Sequence, residues 1–373
     1  MRIAILGHKR IPSRVGGIEI VVEELAVRMA ALGHEVCVYN RNCGEKGQKT
    51  YRGVHLIEIP TSKRSSLNAM LYSVLATLHL LFHRYDVVHY HAEGPCAMLW
   101  LARLFGKKTV ATIHGLDWKR AKWGGFATKY LMLGERTAAR QADALIVLSK
   151  NMQAYFRTEY QRESLVIPNG VNPAEPMPPE QIRKYGVSGR DYILFLARIT
   201  PEKGLDYLLE AFSGLKTDKK LIVAGALEPS APYIESVREK AARDERVALI
   251  GFVEGRELEE LFSNCYLYVL PSDVEGMPIS LLEAISYRAR VLVSDIPENT
   301  EVLMGYGNTF EKGSAASLKE RLEYVLEHPE LYDRDFKPEQ TKAQTEELVD
   351  AILSQHDWDA VTWQTLKLYQ DVK

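Results

Sequence analysis

Ile167-Pro168-Asn169-Gly170-Val171-Asn172-Pro173-Ala174-Glu175-Pro176-Met177-Pro178-Pro179 is the stretch at which the chain stops one pattern and begins it again. Four prolines between 173 and 179 interrupt any helix or strand, so residues 172–190 read as a linker. Upstream, short apolar runs alternate with amphipathic stretches. Strands are predicted over Arg2–Leu6, Val36–Tyr39, His55–Ile59, Val87–His91, Thr109–Ile113 and Ala144–Leu148. Between the first two, Ile18, Val21, Val22, Leu25, Met29 and Leu32 recur at the three-four spacing of a buried helix face, and Gly33 ends the pattern. Helical patterns also run around residues 67–83, 96–105 and 127–142. Downstream, strands are predicted over Tyr192–Ala197, Leu221–Ala224, Val247–Ile250, Tyr266–Leu270 and Val291–Val293, again separated by helical patterns. Repeated strand–helix alternation predicts parallel sheets covered by helices on both faces. The expectation is an α/β protein of two doubly wound domains facing a central cleft. Ligands of such sheets bind outside the carboxyl ends of the strands.

Length and composition agree with two globular domains. The chain has 373 residues, 46 % hydrophobic and 26 % charged, against about 100–200 residues per domain. That composition excludes disorder, collagen and coiled coil. Cys37, Cys43, Cys96 and Cys265 are scattered with no CxxC pair, which supports neither a zinc ribbon nor a disulfide scaffold and suits a reducing cytosol. Met1–Gly7 is too short an apolar run for a signal peptide. Leu67–Phe82 spans 16 residues and is broken by Asn68, Ser73, Thr77 and His79, short of the roughly 20 needed to cross a bilayer.

The net charge of −2 conceals a polarity between the halves. Residues 1–172 carry 24 basic and 13 acidic side chains, a balance of +11; residues 173–373 carry 23 and 36, a balance of −13. The basic half suits an anionic membrane surface or a phosphorylated substrate. Its densest cluster is Lys119, Arg120 and Lys122 with Trp118 and Trp123 interleaved. No nucleic-acid motif accompanies it, so nucleic acid is not an expected partner.

The chemistry-bearing residues fall just after predicted strands. Gly16-Gly17 precede the first helix, where glycines let backbone approach a phosphate and the helix dipole favours an anion; by themselves they read equally as a flexible turn. The loop lacks the GxGxxG dinucleotide fingerprint, so a nicotinamide or flavin cofactor is not expected. His114-Gly115 follows Thr109–Ile113, and a histidine there can donate hydrogen bonds or carry protons near neutral pH. Arg198 follows Tyr192–Ala197, with Lys203-Gly204 just before the helix containing Leu205, Leu208, Leu209 and Phe212. Two cations and a helix N-terminus suit a diphosphate; the competing reading is a surface Arg–Glu pair with Glu202. Glu275-Gly276-Met277-Pro278 lies in the loop after Tyr266–Leu270, with Pro278 predicted in the first turn of a helix that carries Glu283. Eight positions of helix rise at most about 12 Å, too far apart for the roughly 5 Å carboxylate pair of a retaining hydrolase. The two glutamates instead suit hydroxyl groups of one extended ligand.

Taken together, these motifs resemble the family-4 retaining glycosyltransferases of the GT-B fold, and the resemblance covers essentially the whole chain. Glu275 and Glu283 are similar to that family's pair of glutamates with seven residues between. Arg198 and Lys203-Gly204 resemble its diphosphate-binding pair, Gly16-Gly17 its N-terminal glycine loop, His114-Gly115 its histidine, and Ile167–Val171 the segment closing its first domain. Gly7-His8-Lys9-Arg10-Ile11-Pro12 and Gly16-Gly17-Ile18-Glu19 resemble the bacterial rhamnosyltransferase-like subgroup of cell-surface polysaccharide assembly. Many members have Gly where Arg10 stands and an aromatic where Ile18 stands, so glucose- and N-acetylglucosamine-type donors stay open beside rhamnose.

The resemblance implies two Rossmann-like domains, residues 1–172 for the acceptor and 173–356 for the nucleotide-sugar, with a C-terminal helix in 357–373 packing back on the first. It implies transfer of a hexose or deoxyhexose from a UDP- or dTDP-sugar to a saccharide or lipid-diphosphate-linked acceptor, in the cytoplasm at the inner face of the membrane. His114, Glu275, Arg198 and Lys203 would be catalytic. Gly16, Gly17, Gly276, Met277, Pro278 and Glu283 would hold the donor. No cofactor is implied beyond the nucleotide-sugar co-substrate, and no metal. The triplets Asp333-Arg334-Asp335 and Asp357-Trp358-Asp359 mimic a metal-binding signature but lie in the C-terminal helical tail, and Arg198 with Lys203 can balance the leaving diphosphate. Two other classes share the fold: a non-hydrolysing nucleotide-sugar epimerase, distinguished by its products, and a non-catalytic glycan- or membrane-binding protein, which would lack one of the motifs.

Overall fold

The computed structural model describes residues 1–42, 44, 47–61, 65–119, 125–226 and 232–373, with backbone alone at 65–67 and 119. Cys43, three members of the basic cluster (Arg120, Lys122 and Trp123) and the Lys119 side chain lie outside the described residues. The chain folds as two compact units, residues 1–170 with 358–373, and residues 171–357.

The first unit is built on eight strands: β1 (Arg2–Leu6), β2 (Glu35–Asn42), β3 (Thr50–Tyr51), β4 (Val54–Pro60), β5 (Val87–His91), β6 (Thr109–Ile113), β7 (Ala144–Val147) and β8 (Leu165–Val166). They lie in the order β3-β4-β2-β1-β5-β6-β7-β8. Every pairing is parallel except β3 with β4. Parallel strands are covered on both faces, which is why β1 is apolar from Ile3 to Leu6 and β5 is buried throughout, with His89 and His91 among its apolar residues. Ala4, Leu6, Val88, Tyr90, Ala111 and Ile113 form one face of the core. The helices α1 (Gly17–Ala31), α2 (Ser65–Leu81), α3 (Glu93–Cys96), α4 (Leu99–Leu104) and α5 (Gly125–Gln141) surround the sheet. The opposite sheet face, with His89, His91, Thr112 and Ile146, packs against Val21 and Leu25 of α1 and Val361 and Thr365 of the helix Trp358–Val372. That last helix is fixed to the first unit by Arg28 with Asp359 at 2.8 Å, by His89 with Tyr369 at 2.5 Å and by Lys373 with Asp86 at 3.1 Å.

The second unit carries β9 (Tyr192–Leu196), β10 (Lys220–Ala224), β11 (Val247–Gly251), β12 (Leu267–Leu270), β13 (Val291–Ser294) and β14 (Asn308–Phe310). All are parallel, in the order β11-β10-β9-β12-β13-β14. Ile193, Phe195, Leu221, Val223, Leu267 and Val269 form the core face, under Leu205, Leu208 and Phe212 of the helix Leu205–Ser213.

Two expectations change. Residues 172–190 are not a free linker. The buried Glu260 carboxylate accepts N–H bonds from Glu180, Gln181 and Ile182, Ser263 Oγ accepts from Met177 N, and Ile182 is fully buried. A carboxylate that satisfies three backbone donors straps the proline-rich segment to the second unit. The helix predicted around 96–105 is two shorter ones, α3 and α4, broken at Ala97-Met98.

Candidate functional site

In the second unit the loops after β9 and β12 meet. Gly204 stands at φ +67°, and a Cβ there would lie 1.9 Å from the Pro271 carbonyl oxygen. Only glycine tolerates both conditions, so Lys203-Gly204 docks onto the loop that follows β12. The result is a contact between residues 72 apart in sequence: Lys203 Nζ donates to Glu275 Oε1 at 2.5 Å. The ammonium side chain is 14 % exposed and the carboxylate 6 %. A polar chain supports the carboxylate from behind. Ser272 Oγ donates to Glu275 Oε1 (2.7 Å), Ser294 Oγ to Ser272 O (2.5 Å), and Asn299 Nδ2 to Ser294 Oγ (3.1 Å). Ser272, Ser294 and Asn299 are fully buried, so Glu275 is held by satisfied hydrogen bonds rather than by solvent.

Arg198, half-buried two residues beyond β9, has no side-chain hydrogen-bond or ion-pair partner among the described residues. The Arg–Glu surface pair is therefore absent: Glu202 is buried, and neither of its carboxyl oxygens bonds to a described residue. Gly276, Met277 and Pro278 are buried in the loop, and Pro278 is the N-cap of the helix Ile279–Ser286, one position ahead of its predicted place. Glu283 is half-buried on that helix. Tyr268 lies under the loop, donating to Ser280 Oγ at 2.8 Å. Burial raises its phenol, and the charges of Glu275 and Glu283 add to the shift.

The first unit gathers a different set. Gly16 is the N-cap of α1 and Gly17 its first residue, exposed. The loop before them is fixed rather than flexible. Glu19 Oε1 accepts from Lys9 N (2.9 Å), Glu23 Oε2 from Ser13 N (3.2 Å), and Asn40 both accepts from Ile11 N and donates to Ile11 O. A Cβ at Gly16 would fall 2.2 Å from Glu19 Oε2, so the glycine makes room for a carboxylate that folds back over the helix start.

His114, half-buried after β6, hydrogen-bonds through Nε2 to His91 Nδ1 at 2.9 Å, with the rings stacked 5.1 Å apart. His91 stands 4.1 Å from the ring of His89, whose Nε2 meets Thr112 Oγ1 at 2.7 Å. His8, whose charge also acts on His91, bonds Asn40 Oδ1 through Nε2 at 3.0 Å. Burial lowers His89 to about 3 and His8 to about 4, and puts His91 well below the ordinary range; the charges of neighbouring histidines depress His89 and His91 further. These three imidazoles are neutral at pH 7. His8, His89 and His91 escaped the sequence reading because only the pairing of β1 with β5 and β5 with β6 brings them beside His114.

Among the described residues no group of His, Cys, Asp or Glu is arranged to hold a metal ion. Both aspartate triplets have structural uses. Asp335 is buried and accepts from Gly307 N at 2.5 Å, Asp357 pairs with Val171 in a β-bridge, and Asp359 pairs with Arg28.

Residues 15–175 match the family described as Glycosyltransferase Family 4, and residues 178–340 match the family described as Glycosyl transferases group 1. An uncharacterized glycosyltransferase of Bacillus subtilis, YqgM, is 32 % identical over 58 % of this chain and 61 % of its own length, under two thirds of that relative. Alpha-maltose-1-phosphate synthase of Mycolicibacterium smegmatis is 28 % identical over the full length of both chains. Among solved structures, HepE of Anabaena in complex with UDP-glucose superposes with a TM-score of 0.78 over 99 % of both chains at 15 % identity, which shows a shared GT-B fold.

Proposed function

Because this chain is built from a Glycosyltransferase Family 4 domain followed by a Glycosyl transferases group 1 domain, we propose that it moves a hexose or deoxyhexose, with rhamnose among the candidates, from a UDP- or dTDP-sugar to a lipid-diphosphate-linked saccharide in cell-surface polysaccharide synthesis, with retention at the anomeric carbon. The observation that carries this reading is the convergence after β9 and β12: Lys203 on Glu275 at 2.5 Å, in the loop that also carries Arg198, whose side chain has no partner among the described residues. The UDP-glucose held by the HepE relative supports the choice of donor class.

In the reaction the anomeric carbon–oxygen bond to the diphosphate breaks and a bond to the acceptor hydroxyl oxygen forms. The hydroxyl proton passes to the departing diphosphate. Arg198 grips the diphosphate as a guanidinium fork. Lys203, already oriented by Glu275, adds a second positive charge where negative charge grows, which is electrostatic stabilisation of the transition state. The backbone N–H of Met277 supplements it. Glu283 accepts from the ribose hydroxyls, and Glu275 from the donor sugar. His114, bonded to His91 at the end of β6, offers a hydrogen bond to a sugar hydroxyl. Two cations on the chain balance the diphosphate, so transfer proceeds without a metal ion. The test is a panel of UDP- and dTDP-sugars assayed for hydrolysis and for transfer. Turnover with one donor, insensitive to chelator, is expected. Interconversion of free sugar nucleotides without acceptor would replace the reading by the epimerase.

A further inference from the structure

The outer surface of α2, α4 and α5 is more apolar than a solvent-facing layer requires. On α2 the stripe Leu71, Leu78 and Phe82 faces water, with Phe82 86 % exposed. On α4 and its C-cap it is Trp100, Leu104 and Phe105, with Leu104 71 % exposed. On α5 it is Phe126, Met132 and Leu133, with Phe126 71 % exposed. The three helices are neighbours: Lys107 Nζ caps the His83 carbonyl past the end of α2, Arg103 caps the Gln141 carbonyl at the end of α5, and Tyr130 of α5 lies beside Ser73 of α2. A monomeric soluble protein rarely leaves so much contiguous apolar surface without a use.

The exposed charges on the helices carrying the patch are basic, and the nearby carboxylates Asp86 and Asp143 pair with Lys373 and Arg103. Arg84, Lys108, Lys129, Arg136 and Arg140 are exposed at its margins. The one carboxylate in the sequences of these helices is Glu135. It is 1 % exposed and turned inward to Trp118, Tyr155 and Tyr160. A two-fold contact between copies of this chain would bring cations against cations. Aromatic and aliphatic side chains set among Lys and Arg, with no exposed carboxylate, are what a helix lying in the headgroup layer of an anionic bilayer presents. No helix among the described residues is long and apolar enough to cross a membrane.

We infer that the α2–α4–α5 face of the first domain docks on an anionic lipid bilayer, inserting Phe82, Leu104, Phe105 and Phe126 at the acyl boundary while the surrounding Lys and Arg meet lipid phosphates. The inference rests on the reading of the acceptor as lipid-carried, since a docked first domain meets such an acceptor at the surface where it resides.

The experiment is co-sedimentation of the full chain with vesicles of phosphatidylglycerol and phosphatidylcholine, and with phosphatidylcholine alone, in parallel with hydrolysis of the accepted nucleotide-sugar. Wild type is expected to pellet with the anionic vesicles, to lose at least about tenfold in binding between 0.1 and 1 M salt, and to bind neutral vesicles weakly. Phe82→Ser with Leu104→Ser and Phe126→Ser should lower anionic binding by about tenfold or more, and Arg136→Glu with Arg140→Glu by a similar factor. Donor hydrolysis should be unchanged in both, because none of these residues belongs to the donor-binding set. Equal vesicle binding by wild type and the triple variant overturns the inference. So does a wild-type dimer, broken by Phe82→Ser, that ignores lipid. Vesicle binding without donor hydrolysis would leave docking intact and remove the transferase reading; the converse result would do the opposite.

Discussion

After β9 and β12 the second domain brings an ammonium and a carboxylate to 2.5 Å and carries, in the same β9 loop, a guanidinium with no described partner, whereas after β1, β5 and β6 the first domain packs imidazoles against one another and keeps three of them neutral. Both clusters lie at the carboxyl ends of parallel strands, so topology alone does not distinguish them. The distinction is in how each treats charge. The Lys203–Glu275 pair is backed by a chain of hydrogen bonds through Ser272, Ser294 and Asn299. In the histidine cluster Thr112 and Tyr369 hold His89, but His8 Nδ1 and His91 Nε2 are buried without a described partner. One cluster pairs opposite charges and the other packs neutral imidazoles.

The largest effect expected from breaking this contrast is on turnover. Arg198→Ala and Lys203→Ala should each lower kcat by about 10²–10³ or more, as removal of a transition-state charge partner does elsewhere, while circular dichroism stays native. Near-normal kcat in both variants would remove the diphosphate assignment. Next, Glu275→Gln removes the carboxylate charge that faces a mostly buried ammonium and should cost the second domain about 3 kcal/mol. The double change with Lys203→Met should cost less than the sum of the two singles, read as a non-additive shift in urea midpoints. Additive losses would mean that the pair does not act as a unit.

The first domain should answer to acid instead. A histidine whose folded pKa is depressed contributes stability above its unfolded pKa and loses it as pH falls towards the folded value. Below about pH 6.5 the unfolded chain takes up protons that His8, His89 and His91 refuse, at about 1.4 kcal/mol per pH unit for each. Glu93 opposes this in part. Burial, with the charges of Asp117 and Glu135, pushes it up to about 10, so the folded state already holds a proton there. Over pH 6.5 to 4.5 the balance is an uptake of two protons on unfolding, and the first domain should weaken. All five tryptophans lie in residues 1–170 and 358–373, so tryptophan fluorescence follows this domain by itself. A fluorescence midpoint unchanged from pH 7 to pH 5 would contradict the neutral cluster. The smallest effect is Ser294→Ala, which breaks the chain behind Glu275 and should cost about 1 kcal/mol, seen in the second domain's urea transition with fluorescence unmoved.

Much of the fold was legible because buried parallel strands read as apolar runs. Arg2–Leu6, Val87–His91 and Thr109–Ile113 have the predicted ends, and Ile18 to Leu32 traced α1. β3, β8 and β14 were not legible, since two or three residues cannot display a period. The proline-rich strap hid for another reason: proline marks a break in periodicity, but the carboxylate that holds the strap, Glu260, lies some eighty residues later. Arg198, Lys203, Glu275, Glu283 and His114 were each visible by position after a strand. Their partners were not. The bond between Lys203 and Glu275, and the neutrality that surrounds His114, depend on which strands lie side by side, and no local spacing encodes that.

Titration calorimetry of UDP and dTDP against wild type and Arg198→Ala tests the central claim most directly. Wild type should bind one of them, and the variant should bind it at least about tenfold more weakly, because a charge-assisted fork to the diphosphate is lost. Equal affinities for the two proteins would contradict a diphosphate held at the end of β9.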